Sequence, residues 1–307
     1  MKIACIGPGA MGCLFAASLK RAGNDVILMD YKEDRARFLN ANGIHVEGVT
    51  GSFHEMVPVE IHPDLRDADL VLVCVKAMKT EEVAHVLAQG IGEETIVASL
   101  QNGVGNMETL SRLLGEPRVL GGTTSEGATL LAPGHVRHAG RGQTFIGAAT
   151  EEHPALPNVS SMLERAGFYT EVSRNIQGLI WGKLLVNVGI NALTAITHLR
   201  NGALPELEET RRLMTLAVGE AAQIAKAKGI ALPYDDPIGR VIEVCGATSG
   251  NVASMLQDVL NKRPTEIDFI NGAISREGRQ LGIPTPVNDT LASLVKAIEK
   301  TYMEQVF

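Results

Sequence analysis

Residues 2–15 read Lys-Ile-Ala-Cys-Ile-Gly-Pro-Gly-Ala-Met-Gly-Cys-Leu-Phe, and this stretch decides the fold. Ile3–Gly7 is a short apolar run that ends in glycine. Gly7-Pro8-Gly9-Ala10-Met11-Gly12 is a G-x-G-x-x-G turn, and an amphipathic pattern follows it over about 10–22. In that setting the first glycine permits a tight turn, the second lets backbone approach a pyrophosphate, and the third lets helix and strand pack closely. The helix N-terminus then faces the anion. A lone glycine turn is weak evidence; one placed between a first strand and a first helix points to dinucleotide binding.

Outward from the turn, the alternation continues. Val26–Asp30, Leu70–Val75 and Ile96–Leu100 are apolar runs without polar alternation, which is how parallel strands covered on both faces read. Helical patterns at 33–42, 79–89 and 105–114 lie between and after them. Strand–helix alternation predicts a doubly wound parallel sheet, an α/β fold of Rossmann type. From about 118 to 147, glycines at 121, 122, 127, 134, 140, 142 and 147 punctuate short β pieces such as Val136–His138 and Thr144–Ile146. These are expected as antiparallel strands added to one edge of the sheet. A helix near 154–166 and a strand Tyr169–Val172 close the domain.

After Ser173 the pattern is helical: 174–198, 206–228, 235–246, 250–260, 265–281 and 286–303, broken by Gly202 with Pro205, Gly229 with Pro233, Pro264, and Gly282 with Pro284 and Pro286. The expected organisation is therefore a dinucleotide-binding Rossmann domain, 1–173, and an all-helical substrate and catalytic domain, 174–307. A chain of 307 residues is long enough for two cores.

Composition narrows the function classes. The net charge of −7 argues against a nucleic-acid partner, which asks for a basic face. Cys5, Cys13, Cys74 and Cys245 form no C-x-x-C pair and read as free thiols of a reducing compartment. No secretory segment precedes the first strand, and no apolar run approaches the ~20 residues of a membrane span. Cytoplasmic localisation with no membrane partner is the expectation. The helical domain could supply a homodimer interface, although apolar helix faces also make ordinary cores.

The dinucleotide's ribose is expected near Asp30, 18 residues beyond Gly12 at the end of the second strand. A carboxylate there favours the unphosphorylated ribose of NAD, whereas Lys32 and Arg35 just after it could accept a 2′-phosphate. Asp30 could equally cap the helix that starts near 33. Lys76 and Asn102 follow the third and fourth strands, at the strand ends where open α/β sheets bind ligands.

Chemistry concentrates in Trp181-Gly182-Lys183-Leu184-Leu185-Val186-Asn187-Val188-Gly189-Ile190-Asn191. Lys183, Asn187 and Asn191 are spaced i, i+4, i+8, so they share one helical face within about 80° of arc. An ammonium and two amides on an otherwise apolar helix are costly to bury without partners. Asparagine is also a poor choice for a plain exposed helix face. A second patch, Asn251, Ser254 and Asp258, is expected on one helix. Glu266 is expected in the first turn of the next, where it would also complement the helix dipole. His135 and His138, three residues apart in a strand, point to opposite faces and make no metal pair; no metal site is expected.

These motifs together resemble the ketopantoate reductase (2-dehydropantoate 2-reductase) family over essentially the whole chain. The resemblance rests on Gly7–Gly12, Val75-Lys76, Gln101-Asn102-Gly103, the Lys183/Asn187/Asn191 helix followed by Asn201-Gly202, Ser254–Asp258, Thr265–Asp268 and Ile270-Asn271-Gly272. It implies reduction of 2-dehydropantoate to (R)-pantoate on the path to pantothenate and coenzyme A, usually with NADPH, in a cleft between the two domains. By matching position, Lys183 would be the general acid and Glu266 would orient substrate. Asn102, Asn187, Asn191, Asn251 and Ser254 would bind substrate or shape its site, and Lys76 would lie near the cofactor. Many family members carry arginine just after the second strand to hold the 2′-phosphate; here that position is Tyr31, preceded by Asp30, so NADH is a live alternative. Two other readings follow: a paralogous reductase of another branched or aromatic 2-keto acid, and a dinucleotide-sensing regulator, which would not need Lys183 together with Glu266.

Overall fold

The computed structural model describes residues 1–149 and 152–304. It divides into two compact units, Met1–Gln101 with Gly105–Ile176, and Gln177–Phe307 with the short piece Asn102–Val104.

In the first unit the elements run β1 (Lys2–Ile6), α1 (Ala10–Arg21), β2 (Asp25–Met29), α2 (Glu33–Asn42), β3 (Ile44–Gly48), β4 (Phe53–Glu55), β5 (Val59–Glu60), β6 (Leu70–Val73), α3 (Thr80–Gly90) and β7 (Ile96–Ser99). They continue with α4 (Asn106–Leu114), β8 (Val119–Thr124), β9 (Gly127–Ala132), β10 (His135–Gly140), β11 (Thr144–Ala148), α5 (Leu156–Arg165) and β12 (Thr170–Val172). The main sheet has the order β12-β11-β8-β7-β6-β1-β2-β5. Strands β5, β2, β1, β6, β7 and β8 are mutually parallel, the doubly wound order whose direction of winding reverses between β1 and β6. The glycine turn leaves β1 at that reversal.

The glycine-punctuated region departs from the expectation of one set of antiparallel edge strands. Only β11 pairs antiparallel with β8 on the main sheet, with β12 parallel beyond it. Strands β9 and β10 leave that sheet and join β3 and β4 in a second one, of order β4-β3-β10-β9. This second sheet covers the outer side of α1, which touches β1 and β2 on one side and β3, β4, β9 and β10 on the other. That is why Gly12 through Leu19 are buried without a break. Burying Leu14, Phe15 and Leu19 stabilises the unit by about 1.5–3 kcal/mol each, and Phe15 meets Phe168 with ring centroids 4.6 Å apart.

In the second unit the order is α6 (Ile176–Thr197), α7 (Glu208–Ala227), α8 (Pro237–Ala247), α9 (Ser254–Leu260), α10 (Asn271–Leu281) and α11 (Pro286–Lys300), with short 3-10 turns at Asn201–Ala203 and Ile267–Phe269. Helix α6 forms its core: Trp181, Leu184, Leu185, Val188, Ile190 and Leu193 are all buried. By length and composition alone, this 22-residue helix is apolar enough to cross a membrane, although it contains no uninterrupted apolar run of that length. Its few polar residues are spaced so widely that they break every uninterrupted apolar run without making the helix polar. Most of it is buried within the protein.

Candidate functional site

At the glycine turn the backbone accounts for every glycine separately. Gly7 adopts φ 103°, a left-handed conformation, and a Cβ there would lie 2.8 Å from Val75 Cγ1. A Cβ on Gly12 would lie 1.9 Å from the Gly7 carbonyl oxygen. Gly9 differs: nothing lies within 4 Å of where its Cβ would be. The turn is thus closed on the protein side and open on its outer face at Gly9, the N-cap of α1, which makes no side-chain cap bond. Helix geometry aims the first-turn N–H groups of Ala10, Met11 and Gly12 out of that end, which suits a pyrophosphate.

Asp30 closes β2 almost fully buried. Its Oδ1 accepts from the N–H groups of Tyr31 at 2.6 Å and Lys32 at 3.1 Å. Arg35 grips both oxygens, Nε on Oδ2 and Nη2 on Oδ1, each at 2.5 Å. Burial alone would raise the Asp30 pKa, but Arg35 and the two backbone donors outweigh it and hold the carboxyl below its usual range. Tyr31 is exposed, and its ring lies 5.5 Å from Lys32 Nζ and 5.4 Å from Arg35 Cζ. Asp30 therefore serves as the anchor of Arg35.

Lys76 is half-buried and follows Val75, which packs against Gly7. A residue assigned no role by sequence reasoning holds this loop: Gln101 Nε2 donates to the Val75 carbonyl at 2.8 Å and to Thr80 Oγ1 at 2.9 Å, while Ser99 Oγ donates to its Oε1 at 2.8 Å. The loops after β6 and β7 are joined through one amide.

In the second unit, Lys183, Asn187 and Asn191 do share helix α6. Lys183 and Asn187 are half-buried and Asn191 is buried. Desolvation lowers the Lys183 pKa to about 8, partly opposed by the nearby Glu266 carboxylate, which raises it. Asn102 Nδ2 donates to Glu266 Oε2 at 3.4 Å. The piece carrying Asn102 is fixed by the Val104 N–H, which donates to the Phe269 carbonyl at 3.4 Å. It is fixed too by Gly103 at φ 82°, where a Cβ would lie 2.5 Å from that same oxygen. Lys183, Glu266 and Asn102 are thus one electrostatic group, drawn from residues 164 positions apart.

Two expectations about this patch are corrected. Glu266 does not open an α-helix. It precedes the 3-10 turn Ile267–Phe269 without capping it, and α10 begins only at Asn271 because Ile270 takes a non-helical backbone at φ −114°, ψ −97°. Its carboxylate is therefore not spent on a helix dipole. Asn251 does not lie on a helix with Ser254 and Asp258, since α9 starts at Ser254. Asn251 instead sits in the preceding turn, where its N–H donates to the Thr248 carbonyl at 2.8 Å and its own carbonyl accepts from the Asn201 N–H at 3.2 Å. Both Asn251 and Ser254 are exposed.

Two asparagines gain structural definition that spacing could not supply. Asn201 is buried; its Nδ2 donates to Thr248 Oγ1 at 2.9 Å, while its Oδ1 has no hydrogen-bond partner. Asn271 Nδ2 donates to the Val188 carbonyl of α6 at 3.3 Å and to Asn288 Oδ1 at 3.0 Å. That contact ties the start of α10, close behind Glu266, to the helix of Lys183.

An open glycine turn at the winding reversal of a doubly wound sheet defines the dinucleotide-binding class of oxidoreductase folds. Residues 3–151 match the family model for ketopantoate reductase PanE/ApbA, and residues 175–299 match that for its C-terminal domain. The 2-dehydropantoate 2-reductase of Halobacterium salinarum is 34% identical over 303 residues, covering 98% of this chain and 99% of that one. The crystal structure of a PanE/ApbA family ketopantoate reductase from Ralstonia eutropha JMP134 superposes with a TM-score of 0.92 at 34% identity, covering 99% and 100% of the two chains. D-mandelate dehydrogenase, solved with NADH and anilino(oxo)acetate, gives 0.90 at 30% identity over 98% and 99%. This chain belongs to the ketopantoate reductase family.

Proposed function

We propose that this protein reduces 2-dehydropantoate to (R)-pantoate with NADPH, using Lys183 as the proton donor. The observation that carries the reading is the state of Lys183: half-buried on an apolar helix, with a pKa brought down to about 8 and Glu266 opposite. A lysine in that state remains mainly an ammonium at neutral pH yet is a far better acid than a free one.

When bound, a dihydronicotinamide would supply the hydride for C2 of the keto acid. Lys183 holds its N–H toward the C2 oxygen, stabilises the charge that develops there and delivers the proton; solvent then reprotonates the amine. Glu266, steadied by Asn102, keeps Lys183 protonated and orients the substrate. Asn187 and Asn191 present amides from the same helical face, and Asn251 and Ser254 supply further polar contacts. Gly7 through Gly12 would hold the pyrophosphate, and Lys76 would lie beside the cofactor.

The choice of NADPH rests on Arg35. Its bidentate grip on Asp30 removes that carboxylate from competition for ribose hydroxyls and sets two cations, Arg35 and Lys32, around Tyr31 for a 2′-phosphate. Because the fold is shared with an enzyme named for mandelate and solved with NADH, the test needs two arms. Steady-state kinetics compare 2-dehydropantoate with benzoylformate, and NADPH with NADH. Higher kcat/KM for 2-dehydropantoate with NADPH supports the proposal. A preference for benzoylformate would transfer the protein to the aromatic keto-acid reductases, and no turnover of either would leave a dinucleotide-binding regulator.

A further inference from the structure

On the second sheet, parallel pairing sets His135 beside His45 and Arg137 beside Glu47. The intervening residues Val46 and Val136 point inward and are fully buried, so His45, Glu47 and His135 share the outer face with Arg137 and their backbones are pinned by the core beneath. Glu47 divides its carboxylate. Oε1 accepts from Arg137 Nε at 3.0 Å and Nη2 at 2.9 Å, and Oε2 lies 3.1 Å from His135 Nε2. The rings of His45 and His135 approach to 4.9 Å between centroids. One donor atom from each of His45, Glu47 and His135 lies within 4.8 Å of the others.

We propose that His45, Glu47 and His135 form a binding site for a borderline divalent transition-metal ion of the Zn²⁺ type, clipping β3 to β10. Two imidazoles and one carboxylate oxygen are the donor set such ions prefer; an oxygen-rich Ca²⁺ or Mg²⁺ site would carry no histidine. Donors bound to one tetrahedral ion at about 2.1 Å stand about 3.4 Å apart. The His135–Glu47 pair is near that already, and the widest pair closes by about 1.4 Å, within reach of side-chain rotation. Arg137 acts as the outer partner that a ligating carboxylate ordinarily has, fixing Oε1 so that Oε2 faces the imidazoles. Glu47 is held ionised, first by Arg137 and then by His135. The fourth position of a tetrahedral ion held by these three donors stays open to water. A plain salt bridge between Arg137 and Glu47 would need neither imidazole.

His138, three residues along, takes no part. It is turned inward, its Nε2 2.6 Å from Glu126 Oε2 and its Nδ1 3.1 Å from Thr50 Oγ1. The clip lies wholly within the first unit, on strands β3 and β10, which carry no residue of the glycine turn.

Tag-free protein, stripped with a chelator and dialysed, is titrated with ZnCl₂ by calorimetry. The expected result is one Zn²⁺ per chain with a raised unfolding temperature. His45→Gln and His135→Gln should each weaken binding by at least the roughly tenfold that loss of even an outer partner costs, and Glu47→Gln should weaken it too. NADPH-dependent turnover should be unchanged in all three, which certifies their folding. Equal uptake and affinity in the wild type and the double histidine variant would overturn the proposal, as would no uptake at roughly 100 µM free metal. If the variants do not fold, Co²⁺ loaded into the wild type decides: an intense four-coordinate visible spectrum supports the site, and the weak pink spectrum of an octahedral aqua ion refutes it.

Discussion

Arg35 holds both carboxylate oxygens of Asp30, so the acidic residue at the end of β2 is already paired before any ribose arrives. The position that in many dinucleotide folds selects NAD by its free carboxylate is here a buttress for a cation.

The proposed preference for NADPH is tested at that pair. Arg35→Ala should raise KM for NADPH about 10- to 100-fold, the scale of a lost charged hydrogen bond, and improve NADH use because Asp30 is released. The ratio of kcat/KM values for the two cofactors is the readout. A ratio that does not move would reduce Arg35 to a structural partner of Asp30.

Loss of the amine should act on chemistry rather than on cofactor affinity. For Lys183→Ala we expect kcat to fall by roughly 10²–10⁴-fold, with NADPH affinity little changed by fluorescence titration. Near-normal turnover would rule out the proton-donor role.

The pH profile carries the signature of the same group. With the Lys183 pKa lowered to about 8, the ammonium is the active form, so kcat/KM should be level below that value and decline above it. In Glu266→Gln the charge that raised the pKa is gone, and the declining limb should begin at lower pH. A limb that stays in place in this variant would detach Glu266 from the lysine.

Glycine substitutions should separate protein strain from ligand contact. Gly12→Ala drives a Cβ into the Gly7 carbonyl at 1.9 Å, so both stability and cofactor binding should suffer. Gly9→Ala meets open space in the protein; its unfolding temperature should be close to the wild type, while KM for NADPH rises about tenfold as the methyl crowds the pyrophosphate. Equal effects of the two on stability would contradict the open face.

Local pattern carried the main architecture. The parallel strands, the glycine turn and the helical second half announce themselves through features a few residues wide: apolar runs, φ-permissive glycines and a 3.6-residue period. The strip of Lys183, Asn187 and Asn191 was legible for the same reason, since one helix fixes the relative direction of its own side chains. The sequence also showed Asp30 and Arg35 five residues apart, without showing that they pair.

What pattern could not reach was everything made by residues distant along the chain. The second sheet joins strands near 45 to strands near 135, and nothing local distinguishes β9 and β10 from edge strands of the main sheet. Glu266 meets Asn102 across 164 positions, and the lysine's acidity depends on burial plus that carboxylate. Sequence alone determined which residues could serve as acid, amide or anion cradle. The tertiary fold decided which of them were desolvated and which charges stood opposite, because solvation and Coulomb energy depend on distance in space and not along the chain.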